Sequence, residues 1–146
     1  IVMTGNRPRD ESLNITAFFM KKGAGQLVDG TVYLDTNLDE SLFLTPVDTT
    51  KRFSDYMIDL RSKEVRDVKI LIPEKMEVSS LPAPYQIHTA WVDFCRTYSQ
   101  TGNQIVMHKE CVIHHRRVPR SEIPAWNKII SDWGAACNEQ VVLKEK

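Results

Sequence analysis

Two long segments of alternating apolar and polar residues flank one glycine, and they constrain the fold of this chain more than any other feature. Residues 89–100 and 104–117 both alternate with a period of two, and Gly102-Asn103 stands between them. Such alternation is typical of a strand with one buried face, and a Gly-Asn pair favours a two-residue hairpin turn. The pattern therefore predicts a long antiparallel β-hairpin.

The position of the turn decides which side chains of the hairpin share a face. The predicted core face is the more apolar one and carries Val92, Phe94, Tyr98, Met107, Cys111 and Ile113. The other face carries Trp91, Asp93, Cys95, Thr97, Val106, His108, Glu110, Val112 and His114. This register also sets Arg96 opposite Lys109, and like charges directly opposite one another are unfavourable. A β-bulge that shifts the pairing by one residue is therefore the alternative.

Shorter period-two segments predict further strands before the hairpin. They fall at residues 12–20, 31–34, 41–44, 55–60 and 68–72, with one more short strand inside the proline-rich segment 73–84. The mixed charges of residues 59–67 indicate a solvated loop or the start of a strand.

The end of the chain has a helical pattern instead. Ser121 is the predicted N-cap, and Pro124 fits the first turn, where its missing N–H costs little. Apolar residues then recur at helical spacing: Trp126, Ile129, Ile130, Trp133 and Cys137. Val141–Leu143 follows as a predicted edge strand. The predicted fold class is thus mainly β: an antiparallel, β-sandwich-like domain with one C-terminal α-helix packed on a sheet.

We expect one β-rich domain over residues 1–146, with an internal seam near residues 60–64. The 146 residues start at Ile1, without an initiator Met or a signal peptide, which we interpret as a mature piece or a domain of a longer protein. Nineteen basic residues balance 19 acidic ones. A net charge of zero argues against nucleic acid or an anionic membrane as partner. No apolar segment is long enough to predict a membrane span.

Three cysteines and four histidines raise the question of Cys/His chemistry. A nucleophilic thiol needs a lowered pKa from a helix N-terminus or an adjacent His. Cys95 and Cys111 lie in the middle of predicted strands, and Cys137 lies in the helical stripe, so we predict no catalytic residue and no cofactor. The alternative is a metal site, because Cys95 faces Glu110 with His108 one pair along, a ligand set that can hold zinc.

Trp91 is the one aromatic residue on the predicted polar face of the hairpin. With His108, Glu110 and His114 it forms the predicted contact residues of a recognition site for glycan or protein. The basic residues after the hairpin, His114, His115, Arg116, Arg117 and Arg120, have no aromatic residue among them. We therefore interpret them as the solvated end of a strand.

An ordered series of motifs runs through residues 65–146. It begins with Ile72-Pro73-Glu74, continues through Leu81-Pro82, an aromatic strand and Gly102-Asn103, and ends with Ile123-Pro124 and the segment 138–144. This series resembles the C-terminal β domain, a domain of unknown function, of secreted transglutaminase-like proteins of Bacteroidetes. In that family the Cys-His-Asp triad lies upstream of this domain, and no residue of this chain matches it.

The resemblance implies a non-catalytic accessory domain that packs on, or orients substrate for, a neighbouring papain-like catalytic domain. It implies a protein partner, either that domain or another envelope protein, and a secreted, periplasmic or cell-envelope location. Two alternatives stay open: a stand-alone extracellular recognition module that uses an exposed β face, and a metal-binding protein. The oligomeric state is not predicted.

Overall fold

The described part of the chain consists of β-strands and one α-helix. The computed structural model describes residues 2–4, 14–16, 25–37, 45–50, 52–58 and 62–146. Its strands are β1 (Val2–Thr4), β2 (Asn14–Thr16), β3 (Gly25–Val28), β4 (Thr31–Leu34), β5 (Tyr56–Met57), β6 (Lys63–Leu71), β7 (Met76–Ser80), β8 (Tyr85–His88), β9 (Val92–Thr101), β10 (Gln104–Ile113), β11 (Arg117–Val118) and β12 (Val141–Glu145). The helix is α1 (Ile123–Asn138), which a 3-10 turn at Arg120–Glu122 precedes. The predicted mainly β class with one C-terminal helix is confirmed.

Two four-stranded antiparallel sheets dominate the described residues. The first sheet has the strand order β6-β10-β9-β8, and the second has the order β3-β4-β12-β7. Two short ladders, β1-β2 and β5-β11, accompany them. Because β4 pairs with β12, segments from before and after residues 60–64 share one sheet.

The β9–β10 hairpin has the predicted register along its whole length. Val92 pairs with Ile113 at the open end, and Thr101 pairs with Gln104 beside the turn. Gly102, the first loop residue, has a φ of 59°. A type II′ turn requires that conformation at its first central position, where glycine has no Cβ to clash. The bulge considered as an alternative is absent from this hairpin.

Arg96 and Lys109 therefore do lie opposite one another, and both are buried, at 2% and 3% exposure. They are tolerated because their charged ends have separate hydrogen-bond acceptors. Arg96 donates to Thr36 Oγ1 at 2.9 Å, to the Tyr98 hydroxyl and to backbone carbonyls at the end of α1. Lys109 Nζ donates to Asn37 Oδ1 at 2.8 Å. Buried charges are stable only when hydrogen bonds replace their lost hydration.

The inner face of the first sheet is covered by α1 at one end and by the second sheet at the other. The apolar stripe of α1 is buried as predicted, and Trp133 stacks on Phe94 of β9 with ring centres 4.7 Å apart. At the other end, Ile105 of β10 packs with Val141 and Leu143 of the second sheet. The fold is thus a sandwich in which a helix replaces part of one layer.

Three sequence-based predictions need correction. The N-cap of α1 is Glu122 rather than Ser121, which lies in the 3-10 turn, and no side chain caps the helix. Strand β12 is internal rather than an edge, because β4 and β7 flank it. The strand predicted at 55–60 is limited to Tyr56–Met57 in its described part.

Other expected strands lie partly or wholly outside the described residues. Of the segment 12–20, only β2 is described, and the segment 41–44 is not described at all. None of the helical segments in the described ranges has both the length and the apolar character of a membrane-spanning helix.

Candidate functional site

The outer face of the first sheet, turned away from α1 and the second sheet, carries three of the four predicted contact residues. Burial alternates strictly along β10, so that His108 and Glu110 face outward while their neighbours are buried. His114 follows the end of β10 and meets Asp93 on the same face. We call these residues, with their outward neighbours on β6, β8 and β9, the outer face.

His108 and Glu110 are tied into ion pairs across the strands of the outer face. His108 Nδ1 lies 2.8 Å from Asp67 Oδ1 on β6, and His108 Nε2 lies 3.8 Å from Glu110 Oε2. Glu110 Oε1 also lies 2.8 Å from Lys63 Nζ, and the hydrogen bond from Lys63 lowers the pKa of the Glu110 carboxyl. These charges are neutralised within the sheet.

A second group on the outer face joins two histidines through one carboxylate. Asp93 Oδ2 lies 2.8 Å from His114 Nε2, and Asp93 Oδ1 lies 3.2 Å from His88 Nδ1. Partial burial acts to raise the pKa of Asp93, but the hydrogen bonds from the two histidines outweigh it and lower that pKa. Asp93 therefore stays ionised and orders both rings.

The predicted metal ligands do not form a metal site. Cys95 does face Glu110 across the hairpin, but burial and the Glu110 charge raise the pKa of its thiol. Within the described ranges, no group of three or more His, Cys, Asp or Glu side chains is arranged to hold a metal ion.

Trp91 does not lie on the outer face, which corrects its predicted placement. It precedes β9, and its ring packs against Trp126 of α1 in an edge-to-face contact with centres 6.3 Å apart. It belongs to the partly buried shell around the helix core. The alternation rule failed here because Trp91 lies in the turn that leads into β9, where Thr89 bonds the backbone of Val92.

The two remaining cysteines are buried in the core cluster between α1 and the first sheet. Burial raises the pKa of Cys111 to about 12 and also raises the pKa of Cys137. Cys111 lies within β10, and Cys137 lies in the last turn of α1, where the helix dipole disfavours a thiolate. Neither environment activates a nucleophile.

A different surface, formed by the segment 52–58 and the start of the helical region, combines arginines with exposed apolar side chains. Phe53 is 84% exposed and Met57 is 53% exposed. The guanidinium of Arg120 lies 5.6 Å from the centre of the Phe53 ring, and Arg117 pairs with Asp55 beside Met57. We define the arginine–phenylalanine surface by its five residues: Arg52, Phe53, Met57, Arg117 and Arg120. The sequence analysis selected none of Arg52, Phe53 and Met57, because about 60 to 70 residues separate them from Arg117 and Arg120.

An open depression of about 640 Å³ borders this surface, and Asp48, Arg52, Phe53 and Ser54 line it. Arg52, one of its lining residues, lies 5.6 Å from the Tyr56 ring centre, and Tyr56 packs against Trp126 of the core. The arginine–phenylalanine surface is therefore connected to the packed core through Arg52 and Tyr56.

The family model described as a domain of unknown function with a solved structure, DUF3858, matches residues 30–143. No curated protein matches the sequence. The fold is similar to part of a crystal structure of a protein from Parabacteroides distasonis that is described as a candidate protease, with a TM-score of 0.65 and 14% sequence identity. The match covers 80% of this chain and 24% of that protein. The chain thus spans about a quarter of the length of the solved structure that it matches.

Proposed function

Because the chain belongs to the DUF3858 family of domains of unknown function, its role has to be inferred from its surfaces, and we propose that it is a non-catalytic accessory domain of a larger protein. In this proposal it packs on, or orients substrate for, a neighbouring catalytic domain of the transglutaminase-like, papain-like class. The main support is the share of the similar protein that it covers, 24%, which leaves room for other domains. A secreted, periplasmic or cell-envelope location belongs to the same proposal.

The state of the thiols supports the non-catalytic part of the proposal. Acyl transfer by cysteine needs a thiolate beside a His base and a set of oxyanion donors. The three thiols all have raised pKa values, for which burial is the main cause. The backbone N–H groups around Cys95 and Cys111 lie in strands that pair on both sides, which leaves them committed to the sheet.

The test compares the isolated chain with the full-length protein that contains it. Both are assayed for casein hydrolysis and for incorporation of a fluorescent primary amine into protein. We expect activity in the full-length protein and none in residues 1–146 alone. Turnover by the isolated chain that Cys95→Ser abolishes would refute the proposal. Cys95→Ser in the full-length protein is the matched control and should leave activity unchanged.

The second candidate function is recognition of glycan or protein through the outer face. The observation that favours it is the in-sheet pairing of Asp67, Asp93 and Glu110, which leaves a face without unpaired acids among the described residues. An aromatic platform for a sugar ring is missing from the described part of this face, because Trp91 packs on the helix. Lys69→Glu and Val106→Glu, both on the outer face, should weaken binding if this function holds.

A further inference from the structure

The arginine–phenylalanine surface is unusual for a surface that faces only water. Phe53 is the most exposed large apolar residue in the described part of the chain, and Met57 lies in the adjoining strand β5. Aromatic residues, Met and Arg are the residue types enriched at protein interfaces, where Lys, Glu and Asp are depleted. The five residues that define the surface are of these enriched types, and Asp48, Ser54 and Asp55 lie beside them.

Hydrogen bonds anchor the backbone before and after Phe53, at Val47 and at Ile58. The side chain of Asn127 on α1 accepts from Val47 N at 2.7 Å and donates to Val47 O at 2.8 Å. Ile58 N donates to Arg116 O, and Arg116 Nε donates back to Ile58 O at 3.0 Å. The backbone on both sides of Phe53 is therefore anchored, which lowers the entropy cost of ordering this segment on binding.

The charge of this surface indicates the chemistry of its partner. Three of the surface's five residues are arginines, and in the described residues the carboxylates that interact with them are Asp48, beside Arg52, and Asp55, beside Arg117 and Arg120. Asp55 already accepts from Arg120 N at 2.9 Å and from Arg117, and these hydrogen bonds lower its pKa. Asp48 accepts from the Thr50 amide and hydroxyl. The surface therefore has three arginines against two carboxylates that are already hydrogen-bonded, although the whole chain has a net charge of zero.

We propose that the arginine–phenylalanine surface docks an acidic protein surface of the neighbouring domain in the same polypeptide, with Phe53 and Met57 buried at the centre of the contact. Arginines around an aromatic anchor match a carboxylate-rich partner, because guanidinium groups bind carboxylates with two parallel hydrogen bonds. This inference rests on the proposed function and names the surface through which it would act.

Hydroxyl-radical footprinting of residues 1–146 and of the full-length protein tests this contact. We expect Phe53 and Met57 to be oxidised about ten-fold more slowly in the full-length protein, since an interface core excludes water. Leu71 and Val65 are matched controls: they are 71% and 47% exposed and lie on the outer face, so they should react equally in both proteins. In about 1 M NaCl, where the screening length is about 3 Å, part of the protection should disappear.

The full-length variant Arg120→Glu should restore the oxidation of Met57, while Lys69→Glu, the same charge change on the outer face, should leave the protection intact. Arg120 is suited to this test because its side chain is exposed and contacts Phe53 rather than the core.

The other outcomes separate the two proposals. Protection of Leu71 and Val65 without protection of Phe53 would overturn this inference and leave the accessory role standing. Protection of neither surface would also overturn this inference, while the accessory role is decided separately by the activity assays on the full-length protein and the isolated chain. Protection of Phe53 in residues 1–146 alone that rises with protein concentration would assign the surface to a second copy and overturn the inference.

Discussion

The buried guanidinium of Arg96 on β9 donates a hydrogen bond to the carbonyl oxygen of Glu139, the C-cap residue that follows α1, over 3.1 Å. It also donates to the Ala136 carbonyl and to the Thr36 hydroxyl. The last carbonyls of a helix have no donor within the helix and carry partial negative charge. Arg96 therefore joins the first sheet, the end of α1 and the segment after β4.

Replacing the guanidinium of Arg96 should lower the free energy of unfolding. Arg96→Met leaves the carbonyl oxygens of Glu139 and Ala136 without this donor, while Thr36 keeps its hydrogen bond to the Tyr98 hydroxyl. We expect a loss of about 3 kcal/mol or more in the free energy of unfolding. Urea unfolding followed by circular dichroism measures it. Arg117→Met is the control: this side chain is 73% exposed, and its loss should cost less than about 1 kcal/mol. Equal losses for the two variants would contradict the role given to Arg96.

Trp133 is the main contact between α1 and the first sheet. It is fully buried and packs on both Phe94 and Tyr85. Trp133→Ala should lower the free energy of unfolding by about 3–5 kcal/mol, because it leaves a large cavity. Ser131→Ala, on the exposed side of the same helix, should change it by less than about 0.5 kcal/mol. A loss below about 1 kcal/mol at Trp133 would show that the stripe is not the core.

Removal of residues 141–146 tests the internal position of β12. Because β12 pairs with both β4 and β7, its loss would divide the second sheet and expose Ile72 and Ile105. We expect the truncated chain to lack a cooperative thermal transition. Lys144→Ala, an exposed change in the same strand, should keep that transition. A truncated chain with a wild-type melting curve would show that β12 is dispensable, as an edge strand can be.

Asp93 should make the stability depend on pH in the acid range. Its pKa is lower in the folded protein than its ordinary value of 3.8, so the unfolded chain binds the proton more readily. The resulting stabilisation is present above that ordinary value and is lost as the pH falls through the folded pKa.

Asp93→Asn should therefore lower the free energy of unfolding at pH 7 by less than about 1 kcal/mol. Below about pH 4, the free energy of unfolding of this variant should depend less on pH than that of the unchanged protein. Urea unfolding between pH 2 and pH 7 measures both effects, with Glu74→Gln on the turn after β6 as the control. If the free energy of unfolding of Asp93→Asn fell with decreasing pH as steeply as that of the unchanged protein, the ion-pair role of His88 and His114 would be contradicted.

The thiols should react slowly in the folded protein. At pH 7 we expect little alkylation by iodoacetamide at Cys95 and none at Cys111, whose pKa is raised to about 12 by burial. All three should react in urea, which serves as the positive control for mass spectrometry. Complete and selective labelling of Cys95 at pH 6 that His108→Ala abolishes would reveal an activated thiolate and refute this account.

The elements that could be predicted from the sequence are those whose pattern lies within one short stretch of the chain. Alternation on both sides of Gly102 predicted the hairpin register and its buried face, and the spacing of Trp126 and Trp133 predicted the buried face of α1. The fold class followed from these patterns. Strand β3 was missed, although Asp29-Gly30 after it is a turn signal and both residues have positive φ.

What the sequence determined by itself is the direction in which most side chains of a strand or helix point, because one period describes the whole element. Only the tertiary structure decided which other strands or helices each element pairs with or packs against. Strand edges pair through backbone groups that are the same for every residue, so Val141–Leu143 carried no sign of lying between β4 and β7. The shared acceptors of Arg96 and the contact of Phe53 with Arg120 likewise join residues about 40 to 70 positions apart, which no local pattern records.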